Sequence, residues 1–170
     1  MKFYSSIAVA GALLLVTGCA GYQLGPTGGR TAGSQSLEIA PFTNETKEAR
    51  VLDPLTTALR RRTQEDGTFK LATQNDGDIL LTGIVTDYRR RELSFQSTDI
   101  VTVRDYLLVM TVHAVARDRS TGRVLLDRSV TGKTTVRVAD DLVSAERQSM
   151  PLVADDLARN LIGILADGDW

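Results

Sequence analysis

The chain has 170 residues, of which 42% are hydrophobic, and its formal net charge is −1 at pH 7. This near-neutral balance argues against a nucleic-acid protein driven by bulk positive charge, so any anionic partner has to be met by a local basic patch. The single cysteine excludes an intramolecular disulfide. A body of about 150 residues can bury roughly 68–70% of its unfolded surface, so we expect one domain held together by packing.

The first nineteen residues form a leader. Lys2 supplies a positive charge, Ile7–Val16 is uncharged and mostly apolar, and small residues then lead into Cys19, the only cysteine. The apolar run is shorter than the about 20 residues of a membrane-spanning helix and fits the hydrophobic region of a secretory signal peptide. Its end resembles a bacterial lipobox, which predicts removal of residues 1–18 and lipidation of Cys19. The alternatives are an ordinary signal peptide with an incidental cysteine and a buried apolar helix.

Residues 19–35 contain five glycines and one proline and show no apolar periodicity. This composition predicts a lipidated flexible tether, which leaves residues 36–170 as a single folded domain. Ala20 follows the cysteine at the position where an aspartate can signal retention at the inner membrane, so the outer membrane is the default destination. Beyond the leader no apolar stretch reaches membrane-spanning length, and we expect the domain to be anchored rather than inserted.

The body begins with a strand and a helix. Leu37–Phe42 alternates as a strand does, and we expect it near a sheet edge because Pro41 cannot donate to a ladder. Asp53 and Pro54 suit the N-cap and the first position of a helix that Gly67 ends. A short strand is predicted directly after this helix.

The middle of the chain carries period-two patterns. Asp78–Tyr88 predicts a strand whose last residue lies on the face opposite Ile79, followed by the polar run of arginines and a loop around Phe95. In the next strand, Thr102–Arg117, every even position from 106 to 116 is apolar. Because alternate residues of a strand point to opposite faces, the even set should face the core and His113 should face away from it.

The chain closes with a hairpin and a helix. Asp118–Gly122 predicts the turn, and Val124–Val138 predicts a strand whose odd face is polar and therefore wet. The final helix should start near Asp140 and Asp141, and Pro151 either kinks or restarts it. This order of elements predicts an α+β fold: a two-layer sandwich with a small mixed, mostly antiparallel sheet of about four strands and two helices on one face.

The sequence offers little for catalysis. A nucleophilic mechanism needs a histidine beside a nucleophile, and the only histidine, His113, is predicted in mid-strand while the only thiol is the predicted lipid site. Zinc normally takes several Cys or His ligands, and no Gly-rich phosphate loop is present. Adjacent carboxylates such as Asp155 and Asp156 diverge by about 100° on a helix, which suits solvation. We therefore expect no enzyme, no metal and no cofactor other than the covalent lipid.

Several segments, taken in order, resemble a known family. They are Cys19–Gly25, Ile39–Thr46, Asp53–Leu59, Asp78–Gly83 and Asp118–Leu125. Together they resemble lipopolysaccharide-assembly lipoproteins of the LptE type, whose mature chains often begin Cys-Gly-Tyr/Phe-x-Leu and carry a strand end of the form I-x-P-F-x-N-x-T. The similarity covers nearly the whole mature chain and rests on the ordered set, because no single segment is diagnostic. The inserted Ala20 is a small departure from the pattern.

The resemblance implies a non-catalytic lipoprotein on the periplasmic face of the outer membrane. Such a protein plugs an LptD-type β-barrel, assists its assembly and helps to place lipopolysaccharide (LPS) in the outer leaflet. The rival hypothesis is an outer-membrane lipoprotein that serves another machine, either by activating a peptidoglycan synthase or by helping a secretin to assemble. Both hypotheses combine a lipid anchor with a small α/β domain.

An LPS contact should combine Arg or Lys side chains, which match phosphate, with nearby apolar surface. The candidates are three arginines after the second long strand and two cations on the polar face of the last one: Arg89, Arg90, Arg91, Lys133 and Arg137. Solvated charges that keep a strand edge soluble explain these residues equally well. The loop around Phe95 and the turn at 119–121 are candidate barrel contacts, because exposed loop tips can enter a lumen.

Overall fold

A computed structural model of the chain describes residues 32–96, 99–138 and 141–168. The elements are β1 (Gln35–Ile39), β2 (Thr43–Asn44), α1 (Leu52–Asp66), β3 (Phe69–Leu71), β4 (Ile79–Gln96), β5 (Asp99–Asp118), β6 (Val124–Arg137) and α2 (Leu142–Asp167). One mixed sheet and two helices confirm the predicted α+β class, with six strands in the sheet rather than about four. Cys19 and the segment up to residue 31 lie outside the described residues, so the leader and the lipidation remain predictions.

The strand order in the sheet is β3-β1-β4-β5-β6. β1 runs parallel to both β3 and β4, β2 adds a short parallel pair to β4, and β4, β5 and β6 are antiparallel neighbours. The predicted edge position of the first strand is therefore wrong. Pro41 lies beyond the last residue of β1, Ile39, so its missing N–H takes nothing from the ladder.

β4 is longer than predicted and includes the arginine run. Its pairing with β5 continues through Arg89↔Val109 and Arg91↔Leu107 as far as Gln96↔Asp99. The prediction of a polar loop around Phe95 is wrong. This segment pairs with β5, and that pairing satisfies its backbone N–H and C=O groups whatever the polarity of the side chains. The Phe95 side chain itself lies outside the described part of the chain.

A bulge in β4 changes which residues face the core. The register steps from Val85↔Val112 to Asp87↔Thr111, so Thr86 has no partner of its own on β5. One extra residue in a strand moves every later side chain to the other face. Tyr88 consequently lies opposite Met110, on the same face as Ile79, and the prediction that placed it on the other face is wrong.

Both helices pack on one face of the sheet, as predicted, around a single apolar core. The core takes the even residues of β5 from Leu108 to Ala116, together with Leu55 and Leu59 of α1 and the apolar stripe of α2. At Gly132 of β6, an added Cβ would lie 2.5 Å from Leu157 and from the Val153 carbonyl oxygen, so α2 rests directly on the strand backbone.

The helix ends follow the predictions in part. Gly67 and Gly168 end α1 and α2 in the left-handed conformation, each with φ 73°. α2 starts as predicted, since the Asp141 side chain accepts from the N–H groups of Val143 and Ser144, and it is one helix through Pro151. The predicted cap of α1 is wrong: that helix begins at Leu52, two residues before the predicted first position Pro54, so Asp53 lies within its first turn and the N-cap is Val51, which makes no side-chain capping bond.

Candidate functional site

The sheet face opposite the helices, which we call the open face, carries most of the predicted basic residues. Arg89 of β4 pairs with Val109 of β5, and Val109 pairs with Lys133 of β6. Directly opposed residues in a sheet share a face, so the three side chains form one row. Neighbouring strands lie about 4.8 Å apart, so the two cations flank the valine across about 10 Å.

Two further rows continue this pattern along the strands. Arg91, Leu107 and Thr135 form the next row, and Asp105 pairs with Arg137 in the row after it. Val109 and Leu107 thus form an apolar strip on β5 with cations on both sides. Val109 is only 4% exposed although both helices pack on the other face, and long Arg and Lys side chains can cover an apolar neighbour with their aliphatic stems.

The four predicted cations on the open face, Arg89, Arg91, Lys133 and Arg137, differ in how their charge is balanced. The Arg89 Nε lies 3.2 Å from Asp87 Oδ2, and the Arg137 Nε lies 3.0 Å from Asp105 Oδ1. Such exposed pairs are worth little and are easily exchanged for another anion. Arg91 and Lys133 form no ion pair or side-chain hydrogen bond within the described residues, so their charges are available to a ligand.

Arg90 lies on the other side of the sheet from Arg89 and Arg91. Its Nη1 donates to Glu146 Oε2 of α2 at 3.0 Å, and the Tyr88 hydroxyl donates to Glu146 Oε1 at 2.7 Å. Burial, and then the bond to this carboxylate, raises the pKa of Tyr88 far above its usual value. The alternation of a strand therefore divides the predicted arginine cluster: two members belong to the open face and one is bound within the fold.

α2 fixes the edge of the open face. The Lys133 N–H donates to Asp156 Oδ2 at 2.9 Å, and the Asn160 side-chain amide donates to the Thr131 carbonyl oxygen at 3.0 Å. These bonds take the place of a seventh strand along this part of β6. With its backbone held by the helix, Lys133 presents its side chain to the open face.

The turn at 119–121, a predicted barrel contact, is fastened to the rest of the fold. Asp118 Oδ1 accepts from the Ser120 hydroxyl at 2.7 Å and from the N–H groups of Ser120 and Thr121, each at 2.9 Å. These bonds, the hydroxyl of Ser120 first, lower the pKa of Asp118 to about 2. Arg119 donates to the Asn75 carbonyl oxygen and to Glu38 of β1. A rigid tip of this kind keeps its shape against a partner.

The remaining chemistry of the described residues is sparse. His113 lies on the open face as predicted, with its Nε2 3.3 Å from Asp127 Oδ1. Among the residues described, no three His, Asp or Glu side chains come together in a way that could hold a metal ion. None of the described helices has the length and apolarity needed to cross a membrane.

The apolar strip and the bulge both depend on pairing registers that a single sequence does not show. Alternation along β5 is enough to place Val109 and Leu107 on its outer face, but not to show which residues of β4 and β6 lie beside them. The separation of Arg90 from its neighbours did have a signal, because three consecutive residues in a strand cannot share one face.

Comparison with known proteins decides the family. Residues 34–165 match the family model of LptE, described as lipopolysaccharide-assembly. The chain belongs to the LptE family. The matched range includes all five predicted basic residues, from Arg89 to Arg137, and every described strand and helix except the last two residues of α2. Sequence comparison with curated proteins finds no match.

Solved structures support the fold of this LptE-family chain. A protein of Xanthomonas campestris is similar with a TM-score of 0.57 at 15% identity, over 86% of this chain and 92% of that one. A minor lipoprotein of Acinetobacter baumannii is similar with a TM-score of 0.51 at 20% identity, over 78% of this chain and 92% of its own. A protein of Chlamydia trachomatis is similar with a TM-score of 0.55 at 8% identity, over 80% and 96%. At these identities the likeness shows the fold alone.

Proposed function

We propose that this LptE-family chain is held on the periplasmic face of the outer membrane by lipid on Cys19, plugs an LptD-type β-barrel and contacts LPS through the open face. It acts by binding and placement, without catalysis. The observation that carries the proposal is the open face itself, where Arg89, Arg91 and Lys133 surround the apolar strip of Val109 and Leu107 in register.

The open face matches the chemistry of an anionic lipid. Phosphate oxygens accept two parallel bonds from an arginine fork, and Arg91, which forms no ion pair within the described residues, can offer such a fork. Lys133 supplies a compact charge on the far side of the strip. An acyl chain next to those phosphates would meet Val109 and Leu107 rather than water. The alternative explanation, in which the charges only keep a strand edge soluble, does not require the cations and the apolar strip to lie side by side.

The barrel partner and the anchor are the second part of the proposal. Two or more acyl chains on one cysteine hold a protein firmly, since each buried methylene contributes about 0.8 kcal/mol. A short tether then keeps the domain near the membrane surface, where a barrel lumen could receive it. The fastened turn at 119–121 is a suitable leading tip because Arg119 and Asp118 hold its shape.

LPS binding tests the open face. Arg89, Arg91 and Lys133 are replaced together by Ser, and a control chain carries the same three-charge loss at Arg50, Arg60 and Arg128, which are exposed elsewhere. At about 1 kcal/mol per cation near an anionic lipid surface, the open-face variant should bind LPS about a hundredfold more weakly.

The control chain should bind LPS nearly as well as the wild type, because its lost charges lie away from the strip. If LPS binding were weakened equally in both variants, the effect would be due to net charge alone, and the open face would no longer be part of the proposal. Unchanged binding by the open-face variant would also remove the open face from the proposal.

Crosslinking pull-down from native membranes tests the partner. The wild-type chain should recover a large β-barrel, whereas recovery of a peptidoglycan synthase or a secretin without such a barrel would favour the rival machine. A Cys19→Ser chain should fold but leave the membrane fraction. Its retention there without the barrel would show that the lipid is not the anchor.

A further inference from the structure

The two halves of α2 on either side of Pro151 are packed very differently. After the proline, apolar residues are buried on every turn: Val153, Ala154, Leu157, Ala158, Leu161, Ile162, Leu165 and Ala166. Before it, only Ser149 and Met150 are buried, and Val143 is 60% exposed. Apolar burial therefore holds the second half of the helix along its whole length, whereas in the first half it is confined to Met150, next to the proline.

Pro151 also interrupts the hydrogen-bond ladder that joins the two halves. A proline has no N–H, so the carbonyl of Arg147 lacks the partner that a continuous helix would give it. The Ser149 hydroxyl donates to the Ala145 carbonyl oxygen at 2.8 Å, a contact that favours bending. At the other end, Asp141 caps the first turn. The segment Leu142–Met150 is thus a capped unit with a weakened joint.

One side chain ties this segment to the sheet. Glu146 accepts from the Tyr88 hydroxyl at 2.7 Å and from Arg90 Nη1 at 3.0 Å, and its side chain is only 13% exposed. Both donors belong to β4, beyond its bulge. Glu146 therefore holds the first half of α2 to the covered face of the sheet through two bonds on one carboxylate.

The space beside this segment is not filled. A solvent-open cavity of about 520 Å³ lies between the first half of α2, which contributes Val143, Arg147 and Met150, and the start of α1, which contributes Pro54. A helix segment that borders such a cavity has fewer packing contacts than one that is buried on every turn.

We propose that Leu142–Met150 is a flap that hinges at Pro151 and is latched in its closed position by Glu146. When the flap opens, Arg90 and the Tyr88 hydroxyl lose their carboxylate partner, and the cavity loses one wall. This proposal concerns the chain by itself and does not depend on its partner. It also gives Arg90 a role, because an anion that binds Arg90 competes with Glu146 and so favours the open state.

Hydrogen exchange on the full chain, purified in detergent without added ligand, tests the flap. The amides of Arg147–Met150 should exchange faster than those of Leu157–Ile162, because a helix of nine residues that has left the sheet is marginal in water and its internal bonds break once the flap opens. Their rates should be similar to one another, since the flap opens as a unit. Glu146→Ala should speed their exchange by about tenfold, as expected for loss of a charge-assisted bond. Pro151→Ala should slow it, because the alanine N–H restores the bond to the Arg147 carbonyl.

Asp155→Ala is the matched control. Asp155 accepts from Arg61 at 2.6 Å and from Arg159 at 3.1 Å, but it belongs to the packed half of α2. Its loss should change the exchange of Leu157–Ile162 less than about twofold, because apolar burial holds that half. Three results would overturn the proposal: equal protection of both halves, rates that decline residue by residue from Leu142 as in simple fraying, or no response to Glu146→Ala.

Discussion

Met110 and Val109 are neighbours on β5 and belong to two different surfaces. Met110 lies on the face covered by the helices and is 0% exposed, within the core that both helices share. Val109 lies on the open face, outside that core, and is nearly as buried. Equal burial on one strand therefore does not mean equal packing, because only Met110 belongs to the core that the helices share.

The covered face and the open face differ in how tightly their side chains are packed. Where the second half of α2 rests on Gly132, the covered face leaves no room for an added atom. The open face is built from side chains that can move aside, because a flexible stem over an apolar residue is displaced more easily than a packed helix. A ligand with both phosphate and acyl groups can therefore reach the open face without unfolding any element.

The largest expected effect comes from comparing the loss of Met110 with the loss of Val109. Met110→Ala should lower the free energy of unfolding by about 3 kcal/mol, because the packed core cannot collapse around the missing atoms. Val109→Ala should lower it by only about 1 kcal/mol, since water and cation stems can fill the space. Urea denaturation of both variants measures the two values. Similar losses would mean that the open face is packed like the core.

The next effect concerns the seat of α2. Gly132→Ala places a Cβ where the Leu157 backbone N–H nitrogen and the Val153 carbonyl oxygen lie 2.5 Å away, and overpacking of this kind costs about 2 kcal/mol. Gly163→Ala is the control, because nothing lies within 4 Å of its added Cβ. That variant should be neutral or stabilising by up to about 1 kcal/mol, as alanine favours helix. Thermal unfolding of the two variants measures this difference in stability.

Much of the covered face could be predicted from the sequence, and the open face could be predicted only in part. The unbroken even positions of β5 and the stripe of α2 repeat at the periods of strand and helix, so their burial followed from alternation. Thr86 carries no sign of a bulge, and that single unpaired residue reversed the predicted side of Tyr88. The prediction from Pro41 was wrong for a related reason. Whether its missing N–H matters depends on where the strand ends, and the sequence does not show that.

A smaller effect depends on pH and belongs to the scaffold. Hydrogen bonds lower the pKa of Asp118 to about 2, and the bond from Arg61 lowers the pKa of Asp155. A carboxylate with a lowered folded-state pKa stabilises the fold above its unfolded value near 3.9, and this contribution is lost as pH falls through the folded value. The free energy of unfolding should therefore decline between about pH 4 and pH 2.

Urea titrations at several pH values measure that decline, and Asp118→Asn should reduce its slope by removing one titrating group. An unaltered slope in this variant would show that the turn bonds of Asp118 do not stabilise the fold. Stability that is flat from pH 4 to pH 2 would remove both carboxylates from the account.

The smallest expected change in stability comes from the open-face cations. Replacing Arg91 or Lys133 by Ser should lower the free energy of unfolding by only about 0.5 kcal/mol, because neither side chain forms an ion pair within the described residues and only the contact of one aliphatic stem with the strip is lost. The same variants should weaken LPS binding, so the two measurements should separate. A stability loss near that of Met110→Ala would assign these cations to the scaffold instead.

Photo-crosslinking in living cells tests whether the open face binds LPS. A photoreactive residue is placed at Thr111, beside Val109 on the open face, and in a second chain at Leu152, which is 58% exposed on α2. The account predicts an LPS-containing adduct from position 111 and none from position 152. An LPS adduct from position 152 without one from position 111 would contradict the assignment of the open face as the lipid-binding surface.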